Sequence, residues 1–519
     1  MRTTGLLVAA LLGLASPALA GPFAEVGDRQ LRQDVELLSA AGLIEGPVNS
    51  WPLPWAQIDA GLNRAHDGRA LDPYVQAAVN RLDRLADFAA QRIAVDARLS
   101  ATNSVAVARD FGSQARARGD VAGRVEFNGD TVSIAIGAGL RSGQGGKAYN
   151  FEPSQIAVKL GNWALYAGLT EQWYGPGQDG ALLWSNSTRP MPKIGLKRLM
   201  PDPVDFPVLR WLGPMRFEIF GGVLDEQRDF RNTLVFGTRI SFMPAKNLEI
   251  GLNRTQMLCG QGRPCGLKQI AQSFIGIGNA DNSKPGDLEA FLAQPGNQIA
   301  GFDVSYTHRF GPVAAKFYFE GEAEDFDNII LEQWARLIGT TLSGPWGKKG
   351  AGWTATLEYA DTRAASFFNG TPLEKLTGGE TTYPFSMYNN GVYTDGYTYN
   401  GLPIGHWADG DSRNLSFSAA LTDTRNRRWY ASVRSVHLNI GDLGNPPKFV
   451  LPRPGSPGPA VSYRTSTSSE KFAILTAGGE IPTRYGDIRI EGRYQTDSPS
   501  TPGVTRARAA IELQLRQRF

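Results

Sequence analysis

From Ile511 to Phe519 the chain alternates, and that alternation narrows the folds open to it more than any other feature. Ile511, Leu513, Leu515 and Phe519 share one face, with Gln517 the single exception, while Glu512, Gln514, Arg516 and Arg518 share the other. Successive side chains of a strand point to opposite faces, so this strand needs an apolar medium on one side and a polar one on the other. A strand facing lipid outside and a polar lumen inside meets that demand. So does an amphipathic strand at the surface of a soluble sheet, and the rest of the chain must separate the two.

The first twenty residues read as a secretory signal, with Arg2, an apolar run from Leu6 to Leu14, and Ala18-Leu19-Ala20 before Gly21. That run is too short to span a bilayer, and no later stretch of about 18 uncharged apolar residues offers a transmembrane helix. An exported chain of this kind that enters a membrane must do so as a closed barrel, because unpaired backbone groups cannot sit in hydrocarbon. The terminal strand then resembles that of a bacterial outer-membrane barrel. A mean hydropathy of -0.26, with 60 Gly, 10% aromatics and 2 Cys, suits such a barrel, although a secreted β-rich enzyme shares that composition. A net charge of +3 supplies no basic patch for nucleic acid. Cys259 and Cys265 enclose five residues, a spacing that suits a disulfide in an oxidising compartment. With no His nearby the two thiols make a poor metal ligand set, so neither a metal nor another cofactor is expected.

Residues 21–92 form a domain of helical pattern. Leu31, Val35 and Leu38 recur at helical spacing up to Gly42, and Val75, Val79, Leu82, Leu85 and Phe88 make a second stripe. Trp51-Pro52-Leu53-Pro54-Trp55 connects them rigidly. From Ile93 the period changes to two, and residues 93–519 read as strands starting near 93, 120, 131, 154, 163, 205, 215, 233, 248, 300, 313, 331, 351, 413, 429, 471, 487 and 504. The fold class is therefore mainly β, an eighteen-stranded antiparallel transmembrane barrel behind a small α-helical domain. An even count leaves both ends of the barrel sheet on one side. Short turns then face the periplasm, together with the helical domain and Phe519. Long loops face outward, roughly Glu171 to Val204, Leu258 to Ile299, Thr362 to Ser412 and Gly441 to Glu470.

The loops carry the candidate chemistry. In the first, Trp173, Tyr174 and Trp184 offer flat apolar faces, with Gln178, Asp179, Asn186 and Arg189 as polar neighbours. Aromatic faces stack on the C–H surface of a sugar while amides and carboxylates pair with its hydroxyls; a packed plug inside the barrel would use the same residues. In the third, His406, Trp407, Asp409, Asp411 and Ser412 lie close together. A hydrolase needs nucleophile, base and orienting acid joined in space, and one Asp-x-Asp pair falls short of the oxygens Ca²⁺ requires, so structural or ligand-contacting roles are favoured. Tyr383, Tyr388, Tyr393, Tyr397 and Tyr399 mark an interfacial girdle, a packed loop or a glycan-contacting surface. The run Glu320, Glu322, Glu324, Asp325 and Asp327 reads as a lumen face passing into a solvated loop.

The segments Gln172 to Pro192, Tyr393 to Ser412, Cys259 to Cys265 and Leu31-Arg32 through Trp51-Pro52-Leu53 together resemble the Wzi capsule-assembly family of Gram-negative outer-membrane proteins. That resemblance implies an eighteen-stranded barrel with a periplasmic helical domain, closed by its external loops, which binds capsular polysaccharide and helps hold it on the cell surface. It implies no catalytic set. Loop chemistry names the expected polysaccharide contacts: Trp173, Tyr174, Trp184, His406 and Trp407 for stacking or hydrogen bonding, and Gln178, Asp179, Arg189, Asp409 and Asp411 as polar partners. The expected partners are capsular or exopolysaccharide, outer-membrane lipids and lipopolysaccharide, with no nucleic acid and a monomeric barrel. A diffusion channel and an outer-membrane hydrolase are the competing functions.

Overall fold

The computed structural model describes residues 21–519 apart from 69, 143–147, 208, 227, 229, 275–295, 325–332, 378–381, 385, 391–392 and 442–464. The expected signal segment 1–20 and the acidic residues Asp325 and Asp327 thus lie outside the described residues.

Eighteen long strands close into one antiparallel barrel, joined at two places by two-residue pieces at Tyr149–Asn150 and Thr382–Tyr383. In chain order they are β1 (Ile93–Thr102), β2 (Gly119–Asn128), β3 (Val132–Ser142), β4 (Ser154–Leu160), β5 (Trp163–Leu169), β6 (Pro192–Arg198), β7 (Met215–Val223), β8 (Leu234–Ala245) and β9 (Leu248–Leu258). There follow β10 (Gly296–Phe310), β11 (Val313–Ala323), β12 (Trp334–Trp346), β13 (Ala351–Ala365), β14 (Arg413–Thr422), β15 (Arg428–Leu438), β16 (Glu470–Thr483), β17 (Gly486–Gln495) and β18 (Ala509–Arg518). The last strand pairs with the first, Arg516 opposite Arg98, and Phe519 and Val95 exchange backbone bonds of 2.9 and 3.2 Å. Closure leaves no edge strand in this sheet.

Fourteen of the expected strand starts lie within one residue of these elements, those near 300, 331 and 504 lie three to five residues from Gly296, Trp334 and Ala509, and the one near 205 is missed. The sixth strand is instead Pro192–Arg198, and residues 199–214 form a connection at the short-turn end with a 3₁₀ turn at Arg210–Leu212. This strand is short and turns Pro192, Ile194 and Leu196 outward while Lys193 and Lys197 are buried. So few alternations leave little signal. The first long loop accordingly ends at Met191 rather than Val204.

The barrel wears its hydrophobicity outside. On β18, Ile511 is 62% exposed whereas Glu512 is fully buried, and the same inversion runs through Ile134, Ile136 and Leu140 on β3. Trp346, Phe310, Tyr485 and Phe519 are exposed near the short turns, where an aromatic girdle meets the headgroups.

Three helices, rather than the two stripes of the sequence pattern, precede the sheet: α1 (Arg29–Ala40), α2 (Trp55–His66) and α3 (Pro73–Ala89). The additional α2 begins at Trp55 inside the expected rigid connector. Asp28 caps α1 by accepting the Leu31 N–H at 3.0 Å, and α3 starts on Pro73, where a missing N–H costs nothing. Val35, Leu38, Ile58, Val79 and Leu82 bury a common core. The helices sit in the short-turn mouth of the barrel. Tyr74 donates to the Pro312 carbonyl at 2.7 Å, Arg81 to Asn426 at 3.3 Å, and Lys316 of β11 to Glu36 at 3.0 Å. Glu249 of β9 accepts the Val48 and Asn49 N–H groups at 2.8 and 3.1 Å.

Cys259 and Cys265 are joined in a disulfide, closing the small loop at the end of β9.

Candidate functional site

Residues 170–191 turn down into the lumen instead of standing above it. Glycine opens the path: Gly175 has φ +110°, and a Cβ there would strike the Glu320 carboxylate. Trp173 and Tyr174 then form a two-residue antiparallel ladder with Trp51 and Ser50 of the helical segment. Phe111, from the loop between β1 and β2, is held edge-on to Trp51 and Trp173, each ring 5.3 Å away. The Arg32 guanidinium stacks 4.6 Å from the Phe111 ring centre and donates to the Pro176 carbonyl at 2.9 Å. A cation over a buried aromatic face contributes about 2 kcal/mol or more when desolvated.

Wall carboxylates hold the loop by its backbone. Glu358 of β13 accepts the consecutive N–H groups of Gln178, Asp179 and Gly180 at 2.6, 3.1 and 3.1 Å, and Glu320 of β11 accepts the Leu182 N–H at 2.7 Å. Glu320 and Glu322 are both fully buried. They belong to the lumen face as expected, but beneath the plug rather than in solvent. Asp179 extends the grip to the opposite wall, accepting from Arg434 of β15 at 2.8 Å and from Asn414 of β14 at 2.7 Å. Arg434 also reaches Asp110 at 3.3 Å, which takes the Arg29 guanidinium of α1 at 2.8 Å.

The third loop packs onto the first. Trp407 donates its indole N–H to the Asp179 carbonyl at 3.1 Å. Trp184 lies edge-on to Phe220 of β7 at 4.9 Å and to Tyr397 at 5.9 Å. Tyr388, Tyr393 and Tyr397 are buried in the same cluster, so these three tyrosines form a packed loop. Asp409 accepts the Gly410 N–H at 2.9 Å and the Thr465 N–H at 3.3 Å, and Asp411 accepts the Ile440 N–H on its carbonyl at 2.8 Å. Both adopt positive φ, +68° and +46°, a conformation Asp tolerates better than most residues.

Of the ten expected sugar contacts, Trp173, Tyr174, Asp179, Trp184, His406, Trp407, Asp409 and Asp411 are buried. Gln178 is partly buried and donates to Glu36 at 2.9 Å. Arg189 stands apart: partly exposed, with no hydrogen bond or ion pair among the described residues, its pKa lowered by burial and by the charge of Arg141. His406 and Ser412 make no hydrogen bond to each other. Ser412 donates to the Gly410 carbonyl at 2.9 Å, and His406 Nδ1 accepts the Ala408 N–H at 3.1 Å. Glu358, Arg434 and Arg32 were invisible as site residues in the sequence, because each is one polar residue among many at alternating or helical positions.

His406 Nε2 is buried without a hydrogen-bond partner among the described residues, and burial pushes the imidazole down to about 4. The unfolded chain therefore takes up a proton near pH 6.5 that the folded chain refuses until about 4, so stability falls as pH drops through that window. The full effect is up to about 3 kcal/mol. Thermal unfolding of wild type between pH 7 and 4 should show this extra slope and His406→Gln should lack it; equal slopes would remove His406 as the cause.

A family model described as "Capsule assembly protein Wzi" matches residues 90–441, more than half of the chain. The chain belongs to the Wzi capsule-assembly family. A Klebsiella pneumoniae relative, described as an uncharacterized 55.8 kDa protein in the cps region, is 27% identical over 367 residues, covering 69% of each chain. The solved structure of Escherichia coli Wzi superposes with a TM-score of 0.75 at 21% identity, covering 95% of this chain and 99% of that one. That protein is described as an outer-membrane, carbohydrate-binding β-barrel involved in group 1 capsule assembly. At that identity the superposition establishes the barrel fold, and the Wzi-family chain is an outer-membrane β-barrel.

Proposed function

We propose that this Wzi-family barrel binds capsular or a related extracellular polysaccharide at its outer end and holds it at the cell surface without chemical turnover. One observation carries the reading: the lumen is filled by helices and loops whose polar groups are tied to the wall, from the Glu358 bonds to Gln178, Asp179 and Gly180 to the Arg434–Asp179 pair. A barrel filled this way suits holding a polymer outside better than passing solutes through. Family membership and the carbohydrate binding described for the E. coli protein support it.

In this reading Arg189, partly exposed and without an ion pair among the described residues, touches the ligand. The buried Trp173, Tyr174, Trp184, His406, Trp407, Asp179, Asp409 and Asp411, together with Gln178, keep the outer loops stiff, which lowers the ordering cost of binding. Outer-membrane lipids and lipopolysaccharide surround the apolar exterior of a monomeric barrel, and residues 21–92 are a periplasmic domain that follows an export signal. The test is genetic: deleting the gene should release cell-bound polysaccharide into the medium, and restoring the wild-type chain should return it to the surface. Unchanged retention in the deletion strain would refute the proposal.

A further inference from the structure

Between the wall formed by β1, β2, β3 and β18 on one side, and the N-terminal segment from Gly21 to Asp28, α3 and the edge of the plug on the other, lies a cleft of about 190 Å³. At roughly 30 Å³ per water it has room for about six waters, the scale of a single sugar residue. Its lining sets seven arginines and six carboxylates beside apolar groups such as Phe23 and Phe88, and most of that charge is paired. Arg116 bonds Glu171 at 2.6 Å, Arg124 bonds Glu25 at 3.0 Å, Arg141 bonds Glu152 at 2.8 Å and Arg516 bonds Asp96 at 2.6 Å. Arg98 and Arg109 are different. Arg98 donates to the Ser113 hydroxyl at 2.7 Å and Arg109 to the Ala115 carbonyl at 3.3 Å, and neither makes an ion pair among the described residues.

An arginine taken out of water without an anion is expensive, and Arg109 is only 7% exposed. Burial, and next the nearby charge of Arg116, push Arg109 down to about 9, the opposite of what a paired guanidinium shows. Arg116 adds a further donor, since its Nη1 is buried without a hydrogen-bond partner among the described residues. Guanidinium forks match carboxylate and phosphate oxygens in two-point geometry. The cleft thus lacks one negative group, of a size its volume can hold.

We propose that this cleft is a binding site for an anionic sugar, whose carboxylate or phosphate pairs with Arg98 and Arg109 while its ring occupies the space beside Ala122. The inference rests on the polysaccharide-binding reading and names the kind of residue that reading involves.

Calorimetric titration of the purified full-length protein with glucuronate, glucose 6-phosphate, glucose and inorganic phosphate tests it. Saturable binding of glucuronate or glucose 6-phosphate, at least tenfold tighter than glucose, is the expected result, and the acidic sugar that binds identifies the charged group. Arg98→Gln and Arg109→Gln should each weaken it at least tenfold, Arg98→Lys should restore part of it, and Ala122→Phe should block it by filling the cleft while leaving every charge in place. The proposal is overturned if neither acidic sugar binds tighter than glucose, if inorganic phosphate binds as well as the sugars, or if Ala122→Phe and the arginine variants bind like wild type. Loss of surface polysaccharide on gene deletion with no acidic-sugar binding would sink this site alone. Acidic-sugar binding with unchanged surface retention would sink the anchoring function alone.

Discussion

Glu358→Ala should release the plug. Its carboxylate takes the N–H groups of Gln178, Asp179 and Gly180 and the Tyr318 hydroxyl at 2.8 Å, all in a lumen without solvent access at Glu358 itself. Each buried donor left without an acceptor costs about 1–3 kcal/mol, so losing the three amide partners together should cost roughly 3–9 kcal/mol, with the amides as the place where it shows. Hydrogen exchange at Gln178 to Gly180 should accelerate by two orders of magnitude or more, and planar-bilayer recordings should show conductance where the wild type shows little. Wild-type exchange at those amides in the variant would mean that the loop is held by something else. Glu358→Gln, which keeps one carbonyl oxygen, should fall between the two.

Asp110→Ala should be comparably severe, for an electrostatic reason. Asp110 stands between Arg29 of α1 and Arg434 of β15, at 2.8 and 3.3 Å, and also accepts the Gly112 N–H at 2.8 Å. Removing the anion leaves Arg434 with Asp179 at 2.6 Å and Arg29 with only Glu480 and Glu491 at 3.9 and 4.0 Å, so the loss falls at the lower end of the about 3–5 kcal/mol that breaking a buried pair from one side costs. The same geometry sets a pH response. Although burial opposes the charged form, Arg29 and Arg434 hold the Asp110 carboxyl down at about 2. The contribution is complete above the ordinary carboxylate range near 4 and is lost as pH falls from there toward 2. Thermal unfolding across pH 5 to 2 should show wild type losing stability at the acid end and Asp110→Asn losing little, having already surrendered the charge. Parallel curves would disprove the assignment.

The barrel was legible because its rule is local. Alternation over about ten residues located β1, β4, β5, β7, β9, β11, β13 and β14 to within a residue of their observed starts, since lipid on one face and packed polar groups on the other impose the period directly. It failed at β6, where seven residues carry three outward apolar side chains, the first of them a proline. The interior was less legible because its rule is not local. Nothing about Asp179 announces Arg434, and nothing about Trp173 announces Trp51, since each pair meets only after separate parts of the chain enter the same lumen. Composition did register that the loop from 170 to 191 was unusual in its aromatics and glycines. Those features fit a sugar surface and a packed plug equally, because both need flat apolar faces and tight turns.

The ladder between Trp51–Ser50 and Trp173–Tyr174 joins two segments that enter the barrel from opposite ends. Backbone bonds there, the Arg32 clasp on Pro176 and the Arg29–Asp110–Arg434–Asp179 chain make the contents of the lumen a mechanical strut rather than a stopper. A polymer dragging on the outer loops would load that strut along its length. The force would pass to the helices seated against the inner rim, where Tyr74 and Arg81 bear on the short turns.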